Sequence, residues 1–427
     1  MQHSVERVLL KNGAEGLLIT VPSAAVTNFD IVFRAGDYLS PNNKTDTAHV
    51  MEHMVLGANK TYKTSREFSK EFSKFGAYNN AYTGDYHMGY EAECAASESD
   101  RINDLLCIAI ESPLFTQDEF DAEIGNVTEE LKMRRNNDNT ELGLSLEHAM
   151  HFVPIPNRAR IQQLKNITLQ DIKDHYLKTH TTTNMRFVIA GPLNANLKKD
   201  IIKRLENIQI PKGNGLISLP SESPIALPKP LELTNSNLDN IVYRLEVVLP
   251  LYKNYLQRDS MGMVFDELFD GFHSKVFGKL RELGLAYGIF SADYDTKDNS
   301  VCLIYGQVQA NNVMQLATIL HDELKFVATN GISATTLDEL KKRNLGGVQR
   351  SYQTVGSLVS WYRGPFTMLG EVFAFDEIDS RINSVTNESM VESAMQLLQS
   401  NTYGFGVMKN PQDSVDSLLV QQKIMQF

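Results

Sequence analysis

Apolar and polar residues alternate along the start of the chain with the two-residue period of β-strands. The segment VERVLLKNG runs into an Asn-Gly turn, GLLITVPS returns from it, and TNFDIVFRAG repeats the period. Beyond a polar loop, TAHVMEHMVLG changes to the spacing of a helix, as does TQDEFDAEIGNVTEELKMRRNND further on. The pattern therefore predicts paired strands followed by helices in the first part of the chain.

A change of composition divides the chain into two parts of similar length. The segment IQIPKGNGLISLPSESPIALPKPLEL holds five of the 14 prolines, together with Gly and Ser, which is typical of an extended linker. We therefore predict a first domain over residues 1–208, a Pro-rich linker over residues 209–231, and a second domain over residues 232–427.

The two parts resemble each other in sequence. NITLQDIKDHYLKTHTTTNMRFVIAG begins at Asn166 and SVTNESMVESAMQLLQSNTYGFGVMK at Ser384, an offset of 384 − 166 = 218. Both segments predict a Thr N-cap, a helix, a polar turn and a strand. At an offset of 214, HVMEHMVLG pairs with MVFDELFDG. The repeat predicts two homologous domains.

The strongest candidate for chemistry is the motif H-x-x-E-H formed by His49, Glu52 and His53. On a helix, His49 and His53 lie on one face a single turn apart, and Glu52 borders that face. Two imidazoles in this arrangement can bind one metal ion, and a neighbouring carboxylate can accept a proton from an activated water, as in metallohydrolases. The order of the residues is the inverted zincin signature.

A surface helix with incidental histidines is the alternative interpretation of this motif. Its flanking positions argue against that interpretation, because they make the helix largely apolar; they are Ala48, Val50, Met51, Met54, Val55 and Leu56. Two His and a Glu in a buried helix would be costly without a partner. A metal site would remove that cost.

Catalytic zinc usually has three protein ligands, so a third should come from elsewhere in the chain. The predicted helix EFDAEIGNVTEELK offers Glu119, Glu123, Glu129 and Glu130. Glu123 and Glu130 are two turns apart on one face, whereas Glu129 points about 100° away from Glu130. From these residues alone, a solvated acidic helix is an equally good interpretation.

These motifs resemble those of the pitrilysin (M16) family of metallopeptidases, which includes the mitochondrial processing peptidase, insulin-degrading enzyme and short bacterial members. In that family a glutamate ligand follows the second His by 77 residues, and 53 + 77 = 130, the position of Glu130. A second helix glutamate of the family, which contacts a metal ligand without binding the metal, stands seven residues earlier, where this chain has Glu123. The resemblance implies that His49, His53 and Glu130 bind zinc, that Glu52 is the catalytic base, and that Glu123 orients a ligand.

Two further segments resemble substrate-binding parts of the family. GAYNNAYTGDYHMGY is similar to an edge strand that pairs with the substrate backbone, which assigns Asn80, Ala81 and Thr83 to substrate binding. SKVFGKLRELGLAYGIF resembles a segment whose Arg and Tyr hold the substrate and polarise the scissile carbonyl. Those residues correspond to Arg281 and Tyr287 here.

The resemblance also implies a fold and an assembly. We expect an α+β fold of two homologous domains, each with a mostly antiparallel sheet and helices on one face. Such domains would face each other as a clamshell, and the chain would pair with itself or with an M16 relative to enclose a chamber. At the repeat offset, His49, Glu52 and His53 correspond to residues that form no metal set, so we expect one zinc ion per chain.

Composition limits the remaining classes of function. Lys+Arg 41 against Asp+Glu 52 gives a net charge of −11, without a basic cluster, which disfavours nucleic-acid binding. The chain has no apolar run of about 18 residues, so its sequence predicts no membrane span. The N-terminus has no signal-peptide pattern, and Cys94, Cys107 and Cys302 have no disulfide-framework spacing, so we expect a cytoplasmic protein.

The predicted function is that of a zinc-dependent endopeptidase acting on peptides or unstructured protein segments inside a chamber. One alternative is a non-catalytic peptide-binding or assembly subunit, a role in which the H-x-x-E-H residues are typically lost. Another is an enzyme dedicated to processing a single precursor peptide, which the sequence does not distinguish from general peptide turnover.

Overall fold

The computed structural model of the protein describes residues 1–286 and 288–425. In chain order the strands are β1 (Ser4–Leu9), β2 (Glu15–Thr20), β3 (Val26–Phe33), β4 (Tyr78–Thr83), β5 (Met88–Ala95), β6 (Met185–Gly191), β7 (Leu231–Thr234), β8 (Ile241–Pro250), β9 (Ile289–Asp295), β10 (Asn299–Val308) and β11 (Tyr403–Lys409).

The helices of the first half are α1 (Thr47–Val55), α2 (Ser65–Ser73), α3 (Ser99–Glu111), α4 (Gln117–Arg135), α5 (Asp138–Ala149), α6 (Asn157–Leu164), α7 (Leu169–Thr179) and α8 (Ala195–Glu206). Those of the second half are α9 (Tyr255–Phe269), α10 (Phe277–Glu282), α11 (Val313–Asn330), α12 (Ala334–Ser351), α13 (Val355–Leu369), α14 (Ile378–Ser384), α15 (Asn387–Gln399) and α16 (Ser417–Ile424). The predicted α+β class is confirmed.

The first compact unit comprises Met1–Lys132, Arg158–Pro220 and Gln349–Phe373. Its sheet has the order β1-β2-β6-β3-β5-β4, with β2 and β6 parallel and the other neighbours antiparallel. Strand β4 lies at one edge of this sheet. That position matters for the site, because an edge strand has one side available for pairing with another extended chain.

The core of the first unit lies on one face of its sheet. Phe29 and Ile31 of β3 are buried in one apolar cluster with Met51 of α1 and Leu106 of α3. Asp30 lies between these two strand residues and therefore points to the opposite face. That face is covered by α13, which contacts β3 and β6.

The second compact unit comprises Met133–Asn157, Ser221–Val348 and Ala374–Phe427. Its sheet has the order β7-β11-β8-β10-β9, with β7 and β11 parallel. This order reproduces β2-β6-β3-β5-β4 of the first unit, including the position of the parallel pair. The two homologous domains predicted from the repeat are therefore confirmed as folds.

Each unit includes one helix from the other half of the chain. In α5, Leu142 clusters with Val242 and Met408 of the second sheet, and Leu146 with Val248. Helix α13 from the second half packs on the first sheet. The compact units differ in these two helices from the contiguous segments 1–208 and 232–427, because apolar side chains on a helix do not specify which sheet will bury them.

Across residues 1–286 and 288–425, no helix combines the length and the apolar character needed to span a bilayer.

Candidate metal centre

Helix α1 carries the H-x-x-E-H motif and is anchored by its apolar residues. Val50, Met51 and Val55 are fully buried in the core of the first unit. Two polar residues of the same helix are also buried: His49 is 5% exposed and Glu52 is 7% exposed. Buried polar groups of this kind need specific partners, which the neighbouring elements provide.

Glu130 of α4 lies beside both motif histidines. Its Oε2 atom is 3.4 Å from His49 Nε2 and 3.7 Å from His53 Nε2. The three ligand atoms all lie within 4.8 Å of one another. Ligands at about 2.0–2.1 Å around a tetrahedral zinc ion are separated by about 3.4 Å, so these side chains fit such an ion without large movement. Among the described residues, no second cluster of His, Cys, Asp and Glu has this geometry.

A carboxylate lies behind each imidazole. His53 Nδ1 is 2.9 Å from Glu123 Oε2, and His49 Nδ1 is 3.2 Å from Asp46 Oδ1. A carboxylate at Nδ1 favours the tautomer that leaves Nε2 for a metal ion. The ligand-orienting role that the resemblance implies for Glu123 stays a prediction, and Asp46 is a residue that the sequence analysis did not single out.

These carboxylates also set the electrostatics of the site. Burial acts to lower the pKa of His49, but hydrogen bonds with Asp46 and Glu130 prevail and raise it to about 9. The hydrogen bond with His53 lowers the pKa of Glu123. Burial acts to raise the pKa of Asp46, yet hydrogen bonds with His49 and Arg160 lower it. The surroundings therefore favour a cation at the position shared by the two imidazoles.

Glu52 is not one of the three candidate ligands, and it is held by β4. The Thr83 hydroxyl donates a 2.6 Å hydrogen bond to Glu52 Oε2. Burial raises the pKa of Glu52, although the Thr83 bond and the nearby histidines oppose that effect. A fixed carboxylate with a raised pKa is suited to accept a proton and return it.

The predicted substrate residues Asn80, Ala81 and Thr83 all lie on the edge strand β4. Asn80 Nδ2 donates to Glu91 of the neighbouring β5 at 3.4 Å. Because the hydroxyl of Thr83 is bonded to Glu52, its side chain has a role in the site besides any contact with substrate. No local pattern indicates this bond, because Glu52 and Thr83 are 31 positions apart in the chain.

Arg281 lies in the second unit, on α10, and Tyr287 lies outside the described residues. The Arg281 guanidinium is 5.4 Å from the centre of the Phe272 ring. It also lines a cavity of about 440 Å³ within that unit, together with Phe290 and Gln307. The roles predicted for Arg281 and Tyr287 at the metal site stay predictions.

Residues at the repeat-related position of the second unit form other contacts. Asp266 accepts a hydrogen bond from Asn344 at 2.7 Å, and Glu267 pairs with Lys275 at 3.6 Å. A cysteine nucleophile is also disfavoured, because burial raises the pKa of each cysteine thiol to about 12. The candidate chemistry therefore centres on α1 and α4.

Comparison with family models gives two matches along the chain. A model described as "Insulinase (Peptidase family M16)" matches residues 17–153, and one described as "Peptidase M16 inactive domain" matches residues 166–344. The first match contains all the residues of the candidate metal centre.

Curated relatives extend the similarity over most of the chain. An "Uncharacterized zinc protease YmxG" of Bacillus subtilis is 22% identical over 398 residues, covering 92% of this chain and 95% of the relative. An "Uncharacterized zinc protease" of Rickettsia bellii is 21% identical, with 92% and 94% covered. A "Zinc protease PqqE" of Helicobacter pylori is 26% identical over 219 residues, 48% of each chain.

Solved structures share the fold. A protease from Helicobacter pylori has a TM-score of 0.83 at 18% identity and covers 96% of this chain and 100% of its own. A peptidase M16 inactive domain from Pseudomonas fluorescens has a TM-score of 0.84 at 16% identity, with 95% and 98% covered. The periplasmic protease PqqL from Escherichia coli has a TM-score of 0.80 at 17% identity over the whole of this chain, which matches 51% of that protein.

Proposed function

The chain belongs to the M16 peptidase family, and from that premise we propose that it is a zinc-dependent endopeptidase acting on peptides or unstructured protein segments. The observation that carries the proposal is the convergence of His49, His53 and Glu130 at the spacing of a tetrahedral metal site, with Glu52 beside it. Relatives named as zinc proteases over nearly their whole length support it.

Three side chains would hold the metal: His49 and His53 through Nε2, and Glu130 through Oε2. When bound, zinc supplies a Lewis acid that lowers the pKa of water. The chain itself supplies the proton transfers. Glu52 takes a proton and later gives it to the leaving amine, and we assign that proton to Oε1 because Oε2 accepts the Thr83 bond.

Strand β4 is the proposed substrate platform. It lies at the sheet edge and its last residue, Thr83, reaches Glu52. An extended peptide that pairs with β4 through main-chain hydrogen bonds would bring its backbone to the proton-transfer residue. Recognition through backbone favours extended conformation over any one sequence. Arg281 and Tyr287 are proposed to stabilise the carbonyl oxygen of that peptide.

The proposal that two chains associate rests on a comparison of chain lengths. The periplasmic protease PqqL has about twice the length of this chain, which matches 51% of it. We propose that two chains of the present length, either identical or one of them an M16 relative, associate to enclose the substrate.

The test combines zinc content with cleavage of a fluorescence-quenched, unstructured peptide. Glu52→Gln should retain zinc and lose cleavage by about 10²–10⁴-fold, the usual contribution of a general acid–base group. Glu129→Gln is the matched control, because Glu129 lies next to Glu130 but its exposed side chain pairs with Lys132. Cleavage by Glu52→Gln at the parental rate would disprove the assignment. Zinc binding without any cleavage by the parent would favour the non-catalytic alternative.

A further inference from the structure

We propose that Asp46 and Arg160 form a positioning pair that fixes the orientation of His49. The inference rests on the proposed metal site. Asp46 occupies the N-cap position of α1, where an Asp side chain ordinarily accepts a hydrogen bond from the first turn. Its side chain makes no such bond here. Instead Oδ1 lies 3.2 Å from His49 Nδ1.

Arg160 of α6 explains how this buried carboxylate is stabilised. Arg160 Nη2 donates to Asp46 Oδ1 at 2.6 Å, and Arg160 Nε donates to Oδ2 at 3.1 Å. Asp46 is fully buried, and a buried carboxylate without a cationic partner would be costly. The forked contact fixes both oxygens in direction as well as charge.

The consequence concerns the ring nitrogen on the far side of His49. With Nδ1 held by Asp46, Nε2 points toward Glu130 Oε2 at 3.4 Å. Loss of Asp46 would leave a buried ring free to rotate or to adopt the other tautomer, and metal affinity would fall. Outer partners of metal ligands typically contribute 10–100-fold to affinity.

The experiment measures zinc affinity by competition with a chromogenic chelator, and unfolding of the metal-free protein in parallel. Asp46→Ala should weaken zinc binding by about 10–100-fold. Asp46→Asn, which keeps an acceptor oxygen, should recover a large part of that loss. Asp171→Asn is the control: Asp171 completes the capping box at the start of α7 and binds Lys44 in the same unit, at 2.6 Å, without contacting a histidine of the site.

The outcomes separate two failures. If the parent binds no zinc, the proposed function fails. If the parent binds zinc and a folded Asp46→Ala binds it within twofold of the parent, only the positioning role is wrong. An equal loss in Asp171→Asn would show that the effect comes from general destabilisation, which also contradicts the role.

A different observation, the exchange of α5 and α13 between the units, supports a second inference. We infer that opposite charges on these two helices determine which sheet each helix covers. The two sheets are similar, because they share the order of five strands and both bury apolar side chains. Something other than apolar burial must distinguish them.

The charged residues occupy equivalent positions in the two sheets. Asp30 of β3 is opposite Glu91 of β5, and Arg244 of β8 is opposite Tyr305 of β10. The offsets 244 − 30 and 305 − 91 are both 214, the value found for the sequence repeat. On the other side of each strand, Asp30 is opposite Val188 of β6, and Arg244 is opposite the repeat-related residue Gly406 of β11.

The ion pairs at these positions have inverted signs. Arg363 of α13 donates to Asp30 at 2.8 Å, whereas Glu147 of α5 accepts from Arg244 at 2.7 Å. The two residues also occupy similar positions in their helices. Glu147 is ten residues after the N-cap Asn137, and Arg363 is nine residues after the N-cap Thr354. Both sheet residues are largely buried.

Placing either helix on the equivalent sheet would bring like charges together. Glu147 would lie near Asp30 and the opposite residue Glu91, and Arg363 would lie near Arg244, whose charge already has a 2.6 Å ion pair with Glu246. Buried like charges are strongly unfavourable, whereas the native pairs are compensated. The charges therefore act against the wrong arrangement, which apolar packing alone would tolerate.

The first test is a charge-reversal cycle within the first unit. Arg363→Glu and Asp30→Arg should each lower the denaturant midpoint of unfolding, and the double variant should restore most of that loss. A double variant whose denaturant midpoint is no higher than that of the less stable single variant would contradict the inference.

The second test separates specificity from stability and does not depend on charge-reversed proteins folding. The variant Asp30→Asn, Glu147→Gln, Arg363→Met, in which Arg244 keeps its partner Glu246, should fold, but after denaturation a smaller fraction should return to a single native species on size-exclusion chromatography. The control removes the ion pair between Asp259 and Arg381, which has similar burial and involves neither exchanged helix. Refolding of the triple variant as complete as that of the parent, or an equal loss in the control, would overturn the inference.

Discussion

At the scale of single residues, the four glutamates of α4 show how surroundings assign roles to identical side chains. Glu119 accepts hydrogen bonds from the Ala58 amide and the Ser65 hydroxyl. Glu123 lies behind His53, and Glu130 lies between both histidines. Glu129 points to solvent and pairs with Lys132. One helix thus holds the segment before α2, contacts His53 from behind, presents a candidate metal ligand and forms a surface ion pair.

The contrast between two adjacent glutamates leads to a prediction about the ligand set. Loss of a residue that hydrogen-bonds to a metal ligand typically weakens metal binding by about 10–100-fold. Glu130→Gln should weaken zinc binding by more than this, because the charged ligand atom itself is lost. Glu129→Gln should bind zinc like the parent. Equilibrium chelator competition measures both, and equal affinities of the two variants would be incompatible with the proposed site.

Buried histidines away from the site provide a prediction about pH. Burial lowers the pKa of His175 to about 4, and its Nε2 atom is 2.9 Å from the Ala35 carbonyl oxygen. In the unfolded chain the pKa returns to about 6.5. Between about pH 6.5 and 4 the unfolded state therefore binds a proton that the folded state excludes, so this residue's contribution to stability is present above pH 6.5 and falls as the pH falls.

The difference between the parent and His175→Gln isolates this effect from other titrating groups. Gln keeps an N–H donor for the Ala35 carbonyl but does not titrate. Relative to the variant, the parent should lose about 1.4 kcal/mol of unfolding free energy per pH unit across that window. Urea unfolding at pH 7 and pH 5 measures it, and a difference that is constant with pH would refute the assignment.

At the scale of elements, the position of β4 depends on close packing across its pair with β5. Tyr82 lies directly opposite Gly89, and a Cβ at Gly89 would lie 2.2 Å from the Tyr82 ring. Tyr82 also donates to Asp30 at 3.1 Å. The glycine is therefore needed for space, and the tyrosine fixes the edge strand that carries Thr83 toward Glu52.

Substitution at this glycine should separate substrate binding from metal binding. Gly89→Val should displace Tyr82 and β4, cost about 1–3 kcal/mol of stability as overpacking typically does, and raise KM for the quenched peptide. Zinc affinity should change little, because the ligands lie on α1 and α4. Unfolding and kinetics would be measured together, and an unchanged KM would argue against β4 as the platform.

Gly125 offers the matched control on α4. A Cβ there meets nothing within 4 Å, so Gly125→Ala should stabilise the protein by about 0.5–1 kcal/mol. Its KM should match that of the parent.

At the scale of the whole molecule, the proposed edge-strand recognition predicts selection by substrate conformation. A protein segment can pair with β4 only when it is extended and its backbone groups are available. The same disulfide-stabilised protein should therefore be cut when reduced and alkylated but resist cleavage when native. Mass spectrometry of products from the two forms measures this, and equally rapid cleavage of the native form would contradict the proposed mode of binding.

Several elements were predictable because their signals are local. Thr168 and Thr386, predicted as N-caps in the repeat, each form a capping box with the third residue of the helix. The alternating segments became β1, β2 and β3. These features depend on backbone geometry within a few residues, and the sequence shows all the partners involved.

The candidate ligand set was predictable only in part. Helical spacing placed His49 and His53 on one face, but it left four glutamates open, and the resemblance to a known family was needed to select Glu130. Asp46 was missed because its position indicates an ordinary N-cap. Arg160, 114 residues away, donates to that side chain, which faces His49.

What the chain determined by itself is therefore short-range: strand and helix periods, caps, and two imidazoles one helical turn apart, all fixed by covalent geometry. Tertiary structure decided which carboxylate faces which nitrogen, that Thr83 holds Glu52, and that α5 and α13 exchange sheets. The reason is physical. Buried polar and charged groups must find partners wherever folding brings them, and the energy of those pairings depends on burial that no local pattern encodes.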